Sequence, residues 1–228
     1  MKPIIILGKG PSARKIISSD KYDVATLNNA VWFCKDPTFA FFNDLEPIEQ
    51  MTDEDFRYVK TLAVPTYIHS MKNPRFNNQI TDLHFSKLYD IFPKRFDHLD
   101  IYLYSFNSKN SERLEELERM KKDPTPVSLL PEWPGSVGGS ASLVLSKFIG
   151  YKKFIFCGID PAGGYHEKFT KSVDENGKPL FGGMSTTPGN TADYSKYYHK
   201  MIEWIERYGG TAKHINDLTS EEKEYFEL

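Results

Sequence analysis

Short apolar runs alternate with helix-like periods along the chain. "IIIL" at 4–7 is an unbroken apolar run with three β-branched isoleucines, the pattern of a strand buried on both faces. "SARKIISS" at 12–19 then reads as a short helix, and "YDVATLN" at 22–28 as a second strand. "TFAFFND" at 38–44 gives a third. "TDEDFRYVK" at 52–60 starts a helix, with Thr52 as N-cap and Asp55 at the capping-box position, and "LAVPTYIH" at 62–69 is a further strand. Later come an apolar helix at 140–149, a buried strand "KFIFCGID", an amphipathic helix "YSKYYHKMIEWIERYGG" and a last short strand in "TAKHIND". This alternation predicts an α/β domain with a mostly parallel sheet and helices on both faces.

Two stretches break the pattern. Residues 70–126 mix aromatics with charge around the helical segment "SERLEELERMKKD" and read as a helical or irregular insertion, closed by the proline-punctuated linker Pro124, Pro126, Pro131 and Pro134. Residues 161–193 are rich in Gly, Pro and Ser with no sustained period, the composition of a long lid loop. The whole, 1–228, is expected to form one domain carrying these two additions.

Composition narrows the classes. With 228 residues, 39% hydrophobic, and a net charge of −2, the chain has a core-building composition and lacks the strong positive charge of a nucleic-acid coat protein. Cys34 and Cys157 lie in apolar contexts without ligand spacing, so they read as buried thiols, and no metal site is expected. No apolar stretch approaches the ~20 residues of a membrane span, which makes a cytoplasmic protein without a membrane anchor the expectation. The D-x-D within "TDED" is better explained by the capping box than by a metal.

Ligands of doubly wound sheets bind beyond the carboxyl ends of the strands. There the sequence places Gly8, Lys9, Gly10, Pro11 and Ser12 after the first strand, Asn28 and Asn29 after the second, Asn43 and Asp44 after the third, and Asp160 after "FIFCGI". The glycine turn of the first group suits a phosphate held by backbone N–H groups, with Lys9 either on the phosphate or in water. Asparagine offers both donors and an acceptor to hydroxyls and amides.

"IIILGKGPSARKI", "YDVATLNNA", "FAFFND" and "SVGGSASLVLSKFIGYKKFIFCGID" together resemble the bacterial sialyltransferases that modify lipooligosaccharides, over about a third of the chain. The core also resembles Rossmann-like proteins related to 6-hydroxymethylpterin pyrophosphokinases. The first resemblance implies a Rossmann-like, metal-independent glycosyltransferase with no resident cofactor and a nucleotide sugar as donor. Gly8, Gly10, Asn28 and Asn43 would then bind the nucleotide sugar, as would the turn at Gly138, Gly139 and Ser140. Tyr165 in the lid would steady the departing phosphate. The family's general-base histidine has no counterpart before "YYHKMIEWIER", where Asp193 stands nearest; His166 in the lid is the other candidate. The acceptor is expected to be a glycan or a hydroxylated base in DNA. The second option draws on the basic and aromatic stretch containing Lys72, Arg75, Lys94 and Arg95. A pterin pyrophosphokinase-like enzyme using ATP and Mg²⁺, or a non-catalytic nucleotide-binding module, are the other readings.

Overall fold

The computed structural model describes residues 1–70, 81–106, 118, 127–162, 166 and 194–228. Its centre is an eight-stranded sheet in the order β10-β9-β1-β2-β3-β4-β7-β8, built from β1 Ile4–Leu7, β2 Asp23–Leu27, β3 Phe39–Phe41, β4 Thr61–Pro65, β7 Asp100–Phe106, β8 Val127–Leu130, β9 Lys153–Cys157 and β10 Thr211–His214. Every pairing in it is parallel. A separate antiparallel pair joins β5 Tyr67–Ser70 to β6 Thr81–His84. The expected α/β, Rossmann-like architecture with a mostly parallel sheet is what the chain adopts.

The side-chain period of two divides each strand between two cores. Ile4 and Ile6 of β1 face one layer with Phe154 and Phe156 of β9. That layer is closed by α4, Val137–Leu143 with a π-helical extension Val144–Ile149, and by α5, Tyr194–Arg207. Ile5 and Leu7 face the opposite side, where Ala13, Ile16 and Phe33 cover them. Farther along that face, α1 Leu45–Glu49, α2 Asp53–Phe56 and α3 Lys87–Ile91 pack with Phe42, Phe96 and Leu103. All four residues of "IIIL" are fully buried.

Several expectations change. Residues 12–19 form no helix: Ile16 donates its N–H to the Phe33 carbonyl at 2.7 Å and bridges to Cys34. "LAVPTYIH" is two strands, because Thr66 donates its N–H to Tyr104 and accepts one from Phe85. The stretch 100–106, read as part of an insertion, is β7, a strand of the main sheet between β4 and β8. The proline-punctuated linker contains β8, at the sheet edge. A short C-terminal helix, α6 Ser220–Phe226, escaped the pattern reading. The helical segment at 111–123, apart from Glu118, lies outside the described residues, as does the lid at 161–193 apart from Pro161, Ala162 and His166. Asp55 accepts from both the N–H and the hydroxyl of Thr52, at 2.8 and 2.9 Å, as the capping reading of "TDED" requires.

Candidate functional site

The chain runs from β1 through β8 in one direction across the sheet. It then returns to place β9 and β10 on the other side of β1. The topological switch point therefore falls between β1 and β9, and the carboxyl end of the sheet there is where ligands of doubly wound sheets bind. Glycines make the approach of these two segments possible. Gly8 donates its N–H to Cys157 O and Gly10 donates to Gly158 O, both at 2.7 Å. A Cβ on Gly8 would stand 2.3 Å from Gly158 O, and one on Gly10 would stand 2.2 Å from Asp160 Oδ2. The glycine turn is thus shaped by the strand beside it, and its chain contacts account for both missing side chains.

Ser12 and Asp160 meet in the same latch. Ser12 N–H donates to Asp160 Oδ2 at 3.1 Å, and Gly158 N–H donates to Ser12 Oγ at 2.8 Å. His214 Nε2 lies 3.2 Å from both Ser12 Oγ and Asp160 Oδ1. These residue types suggest a nucleophilic triad, but the connectivity differs. Serine and aspartate share one ring nitrogen, while Nδ1 accepts the N–H of Asn216 at 3.2 Å. An accepting Nδ1 assigns the proton to Nε2, so His214 cannot take a proton from Ser12 there. The three side chains tie β1, β9 and β10 together. Pro11 is exposed on the turn they hold.

The asparagines behave differently from one another. Asn28 opens a 3₁₀ turn, Asn28–Phe33, with φ at 51°, a left-handed conformation uncommon for a non-glycine residue. Its buried Oδ1 finds no hydrogen-bond partner among the described residues. Such strain and an unpaired polar atom concentrate at functional sites. Asn29 is buried and turned inward, where its Nδ2 donates to Gln50 Oε1 at 3.2 Å. At the end of β3, Asn43 Oδ1 accepts from Tyr104 Oη at 2.7 Å and from Ser140 Oγ at 3.2 Å. Burial pushes the Tyr104 phenol far up, so it keeps its proton. Both hydroxyls also reach backbone carbonyls, Tyr104 Oη that of Phe42 and Ser140 Oγ that of Ser136, each at 3.3 Å, so the pair holds the Asn43 amide in place at the strand end.

Ser140 therefore reaches the site through Asn43. Gly138 and Gly139 belong to the packing of α4 on α5. A Cβ on Gly138 would meet Met201 Sδ at 2.9 Å, and one on Gly139 would meet Pro134 O at 2.2 Å and Trp204 at 2.7 Å. Ser136 caps this helix by accepting the Gly139 N–H at 3.0 Å.

Lys9 lies within the opening turn. Burial lowers its ammonium to about 8, partly opposed by the carboxylate of Asp44, so it remains a cation at neutral pH. Asp44 is raised to about 6, chiefly by burial, with His69 and Lys9 opposing and Glu46 adding to the rise. His166 is brought to this turn as well: its N–H donates to Lys9 O at 2.8 Å, and its ring meets Phe33 edge-on at 5.2 Å. Tyr165 and Asp193 lie outside the described residues, as do Lys72 and Arg75.

Lys94 is exposed in a turn with φ at 70°. Arg95 has a structural position. Its side chain is 13% exposed, paired with Asp53, donating to Ile48 O at 3.1 Å and stacked 4.3 Å from the Phe92 ring. Among the described residues no His, Cys, Asp and Glu side chains are grouped to hold a metal ion, and no helix is long and apolar enough to cross a membrane.

No protein-family model matches the chain, and neither a curated protein nor a solved structure matches it. The resemblance to lipooligosaccharide sialyltransferases rests on the quoted motifs alone.

Proposed function

We propose that the chain is a nucleotide-sugar-dependent glycosyltransferase, independent of metal and inverting, that works in the crevice beyond β1, β2 and β3. The observation that carries the reading is the pair of amides at adjacent strand ends. Asn28 has a left-handed backbone and a buried oxygen with no partner among the described residues, and Asn43 is held in place by the hydroxyls of Tyr104 and Ser140. Amides of this kind recognise the hydroxyls and base edges of a nucleotide or sugar. Lys9 supplies a cation to the same end of the sheet, suited to the phosphate charge that grows as the bond to the sugar breaks.

In this reading Gly8, Gly10, Ser12 and Asp160 build the crevice, and Lys9, Asn28 and Asn43 meet the donor. His166 flanks the opening turn, and Tyr165 and Asp193 stay assigned to the lid by resemblance. The acceptor is a hydroxyl of a glycan or of a hydroxylated base in DNA. Arg95 does not add to the DNA option, because its guanidinium is committed to Asp53 and Ile48.

The test is nucleotide release from CMP-sialic acid, UDP-glucose, UDP-N-acetylglucosamine and GDP-mannose, with and without EDTA. Lactose and duplex DNA containing 5-hydroxymethylcytosine serve as acceptors. Release from one donor, unaffected by EDTA, is the expected result. Turnover of ATP with a pterin and a strict Mg²⁺ requirement would replace the reading with pyrophosphoryl transfer, and nucleotide binding without turnover would leave a binding module.

A further inference from the structure

Asp44 is a chemically competent group that the donor contacts leave unused. It follows Asn43 directly and is the N-cap residue of α1, yet its side chain makes no capping bond. Its backbone forms a parallel bridge with His69, whose N–H donates to Asn43 O at 3.1 Å. The ring of His69 is in turn oriented by Asp82, with Nδ1 at 2.9 Å from Asp82 Oδ1 across the β5–β6 pair. The charged groups acting on Asp44 are Lys9 from the turn after β1, His69 from β5 and Glu46 from its own helix. Asp44 thus sits one residue from Asn43 at the end of β3, joined through its backbone to an oriented histidine.

We infer that Asp44 is the general base of the transfer reaction and that His69, held by Asp82, is its positioning residue; this rests on the glycosyltransferase reading above. The acceptor O–H proton passes to the Asp44 carboxylate as the acceptor oxygen forms its bond to the anomeric carbon. The bond from that carbon to the phosphate oxygen breaks, and its electron pair leaves on the nucleotide beside Lys9. Asp44 returns the proton to water once product has left. A carboxylate whose acid form is raised to about 6 is a stronger base than an ordinary one and is still ionised at neutral pH. His69 favours that ionised form, since its positive charge lowers the Asp44 value.

The assignment is tested by nucleotide release from the same four donors between pH 5 and 9, with water or the acceptors above. Donor affinity and melting are followed in parallel. Asp44→Asn is expected to lose about 10²–10⁴-fold in rate with donor affinity and fold retained. The parental rate should rise through pH 6. His69→Ala should move that rise to higher pH, a shift that loss of a merely structural contact would not produce. An Asp44→Asn variant that keeps more than a tenth of the rate, or that loses donor affinity in proportion, overturns the base assignment and leaves glycosyl transfer standing. A parental chain that releases nucleotide from none of the donors overturns both.

Discussion

Asp44→Asn is expected to stabilise the protein at neutral pH. The Asp44 carboxyl has its value raised in the folded chain from 3.8 to about 6, mainly by burial. Between those values the folded state binds more protons than the unfolded state, so stability falls as pH rises through this window. Above about pH 6 the full cost of the buried charge is present. Below about pH 4 it is absent, because both states are protonated. A tenfold change in acidity corresponds to about 1.4 kcal/mol, so the substitution returns at most about 3 kcal/mol. In a chain of this length that is roughly 6–12 °C in melting temperature. Melting at pH 7.5 and pH 4 checks both the sign and the window: the gain appears at the higher pH and vanishes at the lower. A loss of stability at pH 7.5 would show that the carboxylate supports the fold instead. Stability gained where activity is lost is the pattern expected of a group retained for chemistry.

Gly8→Ala should damage the fold more than any other alanine substitution in the opening turn. Its Cβ would lie 2.3 Å from Gly158 O and 2.9 Å from Ile159 Cγ1, so the first obstacle is backbone. That backbone cannot retreat without parting β1 from β9, which are paired from Ile4 with Phe154 to Leu7 with Cys157. The cost should reach or exceed the upper end of the ~1–3 kcal/mol typical of overpacking. At Gly10 the first obstacle is the Asp160 carboxylate, a side chain, with Gly158 O following at 2.9 Å, so part of the strain is relieved by moving Asp160 and loosening the latch to Ser12. Urea denaturation of the two variants separates these cases. A Gly8→Ala protein with the parental midpoint would mean that β1 and β9 are not held this closely.

The sheet was legible wherever a strand is buried on both faces. "IIIL" and "FIFC" are continuous apolar runs because each lies between two layers. The helix expected at 12–19 failed because a tertiary partner claims its backbone: the Ile16 N–H, which a helix would send to the Ser12 carbonyl, goes to Phe33. Periodicity carries no information about such partners. β7 was hidden by its position inside an otherwise aromatic and charged stretch.

The site was legible in the same uneven way. Asn28 and Asn43 announce themselves at strand ends. Ser12, Asp160 and His214 come from widely separated segments, and only the strand order joins them. His69 and Asp82 are likewise distant in sequence, and the β5–β6 register makes them partners. Asp44 was visible as a strand-end residue, but its raised value is set by burial and Glu46 against the opposing charges of His69 and Lys9, which no local motif records.

The most direct measurement of the central claim is calorimetric titration of the parent, Asn43→Ala and Asn28→Gly with the donor that the parent turns over. Glycine at position 28 removes the amide while keeping the left-handed backbone free of strain. Each variant should bind at least tenfold more weakly, a loss of about 1.4 kcal/mol or more; melting should stay close to the parental value for Asn28→Gly and fall for Asn43→Ala, which takes a partner from the buried hydroxyls of Tyr104 and Ser140. Parental affinity in both variants would contradict a donor site beyond the ends of β2 and β3.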